Sequence, residues 1–152
     1  VAAVEKLPGS VLFVCNLNAV RSPMAEALAK SLYGKRIFID SAGIEPQPRD
    51  PFVINVMTEI GVDMAEDHPM DVEEINIGSF DLVICLTEEA RVRVAELTRG
   101  QAVDIDFWPT IDPFAGGEQG SREQKLDAYR RLRDDLRRRI EQRFGAAEKK
   151  AS

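Results

Sequence analysis

The chain's 152 residues are 44% hydrophobic and 30% charged, a balance that lets one sizeable core form. Its net charge of −6 argues against nonspecific binding to nucleic acid or to an anionic membrane surface, and no apolar run is long enough to span a bilayer. Two cysteines cannot make a disulfide framework, and a single histidine, His68, excludes a histidine-based metal cluster. The expectation is one domain over residues 1–152 in a reducing cytoplasm, with residues 1–9 and 146–152 as tails, no metal and no cofactor.

In chain order, Val11 to Val14 is a short apolar run of the kind a buried parallel strand shows, and it ends at Cys15. Ser22 and Pro23 read as the N-cap and first residue of a helix whose apolar positions are Met24, Leu28 and Leu32. Arg36 to Asp40 reads as a second strand running into Ser41-Ala42-Gly43, followed by a proline-rich loop. Pro51 to Ile60 keeps helical spacing and Gly61 stops it. The segment 62–79 is irregular, apart from a turn of helix near Val72 to Ile75. Asp81 to Leu86 is a buried strand, and Thr87 caps a helix over Glu88 to Leu97. Val103 to Trp108 is a loosely alternating fourth strand, and a long loop follows. The last helix, Ser121 to Phe144, buries Leu126, Tyr129, Leu132, Leu136, Ile140 and Phe144. Its arginines interleave with Asp127, Asp134, Asp135 and Glu141, which marks a solvated face rather than a nucleic-acid patch.

Strands alternating with helices predict an α/β fold of three layers, a four-stranded parallel sheet with helices on both faces. Right-handed crossovers bring the loops after the strands to one edge, where open sheets bind ligands. The Cys15 loop, the Ser41 loop, the end of the third strand and the Asp112 loop converge there.

The loop from Cys15 to Arg21 carries the chemistry. A helix start presents unpaired N–H groups and a positive dipole end, which suits a tetrahedral oxyanion. The backbone of Asn16, Leu17, Asn18, Ala19 and Val20 would hold that anion together with the planar fork of Arg21. The same positive field favours the thiolate of Cys15, a nucleophile beside a bound phosphate.

Cys-x5-Arg-Ser between a strand and a helix, in the text VCNLNAVRSPMAEAL, resembles the low-molecular-weight protein tyrosine phosphatases. Ser41-Ala42-Gly43, FDLVICLT and Asp112-Pro113 follow in that family's order, so the likeness covers nearly the whole chain. Thioredoxin-type arsenate reductases share the fold and loop. The resemblance implies a cysteine-dependent phosphatase acting through a cysteinyl-phosphate, with a phosphorylated protein or small aryl phosphate as partner. It further implies Asp112 as general acid, and Asn18, Ser22 and Ser41 as the polar network supporting the loop.

The chain departs from that pattern at several points. Leu17 stands where the phosphatases usually have Gly, a cost if the position needs a positive φ. Val20 replaces a frequent second Cys. Pro46, Gln47 and Pro48 stand where a bulky aromatic lines the pocket mouth, leaving Phe114 to supply one aromatic wall. Cys85 reads as a core residue, and the reductases' resolving thiol would fall nearer Thr87. Two other activities remain open: arsenate reduction with an external thiol, and phosphate binding without turnover.

Overall fold

Four runs of extended chain pair side by side in a computed structural model that describes residues 7–64, 69–113 and 121–145. The strands are β1 (Ser10–Cys15), β2 (Phe38–Gly43), β3 (Leu82–Cys85) and β4 (Asp104–Phe107), all parallel, in the order β2-β1-β3-β4. Three α-helices lie between them, α1 (Arg21–Tyr33), α2 (Pro51–Thr58) and α3 (Glu88–Leu97), and α4 (Arg122–Phe144) follows β4. The strand order reverses direction between β1 and β3, so the crevice at their C-terminal ends is the topological switch point. Cys15 is the last residue of β1 and stands at that crevice.

Alternation along the strands divides the core in two. Val11, Phe13 and Cys15 face α1, α2 and α4, packing among Met24, Leu28, Val53, Met57, Leu136 and Ile140. Leu12 and Val14 face the other way with Ala42, Val83 and Cys85, against Ala90 and Val94 of α3. Each fully buried aliphatic residue of α4, such as Leu136 or Ile140, stabilises the fold by roughly 1.5–3 kcal/mol. The expected face of α4 is the buried one, and Ser121 closes a capping box with Gln124 at its start. Thr87 caps α3 by accepting from the Ala90 N–H.

Three local expectations need correction. Ser22 does not cap α1, which starts at Arg21; Val20 is the N-cap and makes no side-chain cap bond. Pro23 therefore sits third in the helix, still within the four positions whose N–H groups lack an intrahelical acceptor. The second strand is displaced: Arg36 and Ile37 close a turn onto the Tyr33 carbonyl, and the strand runs from Phe38 through Gly43. Ser41, Ala42 and Gly43 extend because Phe13, Val14 and Cys15 pair with them in register. The second helix ends at Thr58 rather than Ile60, and a turn closes at Gly61 with φ of 78°. His68, Phe114, residues 1–6 of the expected tail at 1–9 and the expected tail at 146–152 lie outside the described residues. Residues 7–9 are instead tied to the fold: Leu7 packs against the core, and Gly9 donates to Asp81 and accepts from the Phe38 N–H.

Candidate active site

The Cys15 thiol lies at the bottom of a cradle between the end of β1 and the start of α1. Two backbone N–H groups point at its sulfur, from Asn18 at 3.3 Å and from Ser22 at 3.4 Å, and the Ser22 hydroxyl lies 3.0 Å away. The N–H groups of Leu17, Ala19 and Val20 meet no acceptor among the described residues, which suits them to an oxyanion. Leu17 needs no positive φ. The left-handed position belongs to Asn18, at φ of 52°, the only such non-glycine among the described residues. The family's usual Gly is thus dispensable at 17, and Leu17 projects half-exposed at the mouth.

Asn18 is fully buried, and its amide orientation follows from its neighbours. Its Oδ1 accepts from the Met70 N–H at 3.0 Å, so Nδ2 faces two serines, donating to Ser22 Oγ at 2.8 Å and Ser41 Oγ at 3.0 Å. Ser41 in turn donates to the Glu26 carboxylate, which Lys30 neutralises at 2.6 Å. Ser22 Oγ accepts from Asn18, and its own proton has two acceptors in reach, the Ala42 carbonyl at 3.3 Å and, when Cys15 is ionised, the sulfur at 3.0 Å. The network is satisfied at each step and holds the Ser22 oxygen beside the thiol. Gly43 makes room for it: a Cβ there would lie 2.8 Å from the Asn18 nitrogen and 2.9 Å from the Leu17 carbonyl carbon.

Cys15, Asn16, Leu17, Ala19, Val20 and Arg21 line one cleft of about 240 Å³ with Glu45, Asp112 and Pro113. Arg21 and Asp112 thus come together with the thiol across a wide gap in sequence. The Arg21 guanidinium rests against Thr110, 3.4 Å from its carbonyl and 3.5 Å from its hydroxyl. Asn16 lines the cleft, but its side-chain Oδ1 accepts from the Thr87 hydroxyl at 2.6 Å. A hollow of about 350 Å³ between α1 and the turn after α2 is larger, but lies away from the thiol. Glu26, Glu45, Arg49 and Thr110 received no role from sequence. Glu26 alone left a trace there, as a carboxylate in the small-residue text SPMAEALA; the other three depend on how loops fold back.

Cys85 is the remaining thiol, on the opposite face of the sheet from Cys15 because it pairs with Val14 rather than with Cys15. Burial pushes it up to about 12, and it sits inert among Leu12, Val14 and Val83. The expected core role of Cys85 agrees with this placement.

A parallel α/β sheet with a cysteine–arginine loop at its switch point defines the cysteine-dependent phosphatase and arsenate reductase class. Within it, the chain belongs to the family of the low-molecular-weight phosphotyrosine protein phosphatases, whose sequence model matches residues 10–152. The arsenate reductase of Halalkalibacterium halodurans is 32% identical over 130 residues, 86% of this chain and 91% of that protein. The glutaredoxin arsenate reductase of Synechocystis is 31% identical over 131 residues, 86% of this chain and 92% of that one. Among solved structures, an arsenate reductase in the phosphate-binding state superposes with a TM-score of 0.73 at 29% identity, covering 89% of this chain and 95% of the other. A cysteine-to-serine mutant of the arginine phosphatase YwlE, with that active-site serine phosphorylated, gives 0.71 at 25% identity and covers 88% of this chain and 91% of the other. The family is one of enzymes, containing both phosphatases and arsenate reductases.

Proposed function

We propose that the protein is a phosphomonoesterase of the tyrosine phosphatase type, hydrolysing aryl phosphates through a cysteinyl-phosphate. The observation that carries this reading is the single cleft shared by Cys15, Arg21 and Asp112. The Cys15 thiolate attacks phosphorus in line, forming the S–P bond as the P–O bond to the aryl group breaks. Asp112 protonates the departing aryl oxygen, while Arg21 and the loop N–H groups hold the equatorial oxygens. Asp112, now a carboxylate, takes a proton from water as that water attacks phosphorus; inorganic phosphate leaves and the thiolate is restored. Ser22, held by Asn18, stabilises the thiolate as it leaves. Phosphate binding alone would need no carboxyl group at that position.

Arsenate reduction with an external thiol is the second reading, favoured by the names of the curated relatives. Cys15 would displace hydroxide from arsenate to form an arsenic–sulfur bond. An external thiolate attacking the Cys15 sulfur would leave that bond's electron pair on arsenic, giving arsenite and a mixed disulfide, which a second thiol reduces. An internal thiol cascade has no support: the chain has two cysteines, and they lie on opposite faces of the sheet.

The test compares turnover of p-nitrophenyl phosphate with arsenate reduction coupled to glutathione and glutaredoxin. Aryl phosphate turnover is expected, lost in Cys15→Ser while phosphate binding persists. Arsenate reduction without phosphatase activity would establish the second reading, and neither activity with phosphate binding intact would leave a binding module.

A further inference from the structure

The carbonyl oxygens on the outer side of the Cys15 loop are all taken by one short segment. Ile44 N–H donates to Cys15 O at 3.2 Å, Glu45 N–H to Asn16 O at 2.8 Å, and Gln47 N–H to Leu17 O at 2.8 Å. Asp50 N–H donates to Ala19 O at 3.2 Å. Between these four backbone donors, Asn18 O is served by a side chain: the Arg49 guanidinium donates to it at 2.6 Å, the shortest bond of the set. Pro46 and Pro48 have no N–H to offer, so the alternation Glu-Pro-Gln-Pro-Arg-Asp sets which donors the strap presents.

A trans peptide unit is planar, and its carbonyl and the following N–H point in opposite directions. Fixing a carbonyl outward therefore turns the next N–H inward. The strap orients the N–H groups of residues 16 to 20 in this way, toward the cleft and the Cys15 sulfur. The Asn18–Ala19 unit is the one most in need of such a hold. It follows Asn18, the one non-glycine residue at positive φ among the described residues.

We propose that Arg49 is a positioning residue for oxyanion binding, holding the Asn18–Ala19 peptide so that the Ala19 N–H faces the bound phosphate or arsenate. This rests on the reading of the cleft as an oxyanion site and holds for either proposed activity. Arg49 acts through the backbone and touches no reacting atom. A hydrogen bond from a charged donor to a carbonyl that would otherwise be left buried predicts a loss of about tenfold or more in anion affinity.

The experiment titrates the intact protein with inorganic phosphate, reading affinity by calorimetry and the Ala19 amide by nitrogen–proton correlation spectra. In the wild type the Ala19 amide proton should move downfield as phosphate binds. Arg49→Met should bind phosphate about tenfold more weakly and lose most of that shift. Arg49→Lys, whose ammonium can still donate to the Asn18 carbonyl, should recover part of both. A role confined to stability would lower the melting temperature of Arg49→Met but leave the affinity and the Ala19 shift of the folded protein unchanged, and that result overturns the proposal. If Arg49→Met does not fold, Arg49→Lys decides: a shift and affinity equal to wild type overturn the idea, and intermediate values sustain it. A wild type that binds no phosphate would instead remove the oxyanion site itself, and the positioning role with it.

Discussion

Asp112 is the residue on which the proposed phosphatase chemistry turns, since it shares the cleft with Cys15 but belongs to a loop far along the chain. An unactivated phenol has a pKa of about 10, so its expulsion as a bare phenoxide is slow and general acid catalysis contributes about 10²–10⁴-fold. A strongly acidic phenol leaves readily without a proton. Asp112→Asn should therefore slow phosphoenzyme formation severely on phosphotyrosine and much less on p-nitrophenyl phosphate, measured in single turnover. Equal slowing on both substrates would make Asp112 a loop-positioning residue instead. At this scale spacing made Cys15 and Arg21 legible, while Asn18, Ser22 and Ser41 came from the family resemblance, and all five lie in or beside one cradle. Where a role depends on a distant segment, as for Arg49 and Thr110, neighbouring residues offered no signal.

Between elements, α2 and α4 are tied by a cluster of charges rather than by apolar packing alone. Glu59, just beyond α2, accepts from Arg130 at 2.7 Å and from Arg133 at 2.9 Å, and Arg133 also donates to the Val56 carbonyl at 2.8 Å. The hydrogen bond from Arg130, with Arg133 behind it, holds the Glu59 carboxyl down to about 2. A carboxyl lowered on folding stabilises fully above its unfolded pKa, about 4.3, and that contribution is lost as pH falls toward 2. Its side chain is 38% exposed, so water and salt screen the effect. Urea midpoints should place wild type above Glu59→Gln at pH 7, with the gap closing between about pH 4 and pH 2. A gap unchanged over that range would assign the difference to shape instead of charge. Other arginines of α4 also face carboxylates, as the interleaved acids of its sequence lead one to expect. Arg130 also meets Glu123 and Asp127, Arg138 meets Asp135, and Arg143 meets Asp106.

Over the whole molecule, the sheet acts as a partition that gives its two thiols opposite fates. Cys15 ends β1 on the side of α1 and opens to the cleft, whereas Cys85 is enclosed on the side of α3 with its thiol raised to about 12 by burial. Iodoacetamide at pH 8 should alkylate Cys15 in the native protein and spare Cys85, with phosphate slowing the reaction; mass spectrometry of the peptides reads both sites. Modification of native Cys85 at a comparable rate would mean that the β3 side opens far more readily than its packing implies. The sequence by itself determined the alternation of strands and helices, the long amphipathic face of α4 and the thiol–guanidinium loop, because each follows from short-range periodicity or spacing. Only the tertiary structure decided that Ser41 to Gly43 extends as strand, since its partners are Phe13 to Cys15 on another segment. It also took the cap position from Ser22, which stands beside the thiol as the resemblance implied, and gave the outward carbonyls of the loop to Ile44, Glu45, Gln47, Arg49 and Asp50. Those outcomes depend on which hydrogen-bonding groups the fold brings within 3 Å or so of each other, and no local propensity encodes such a pairing.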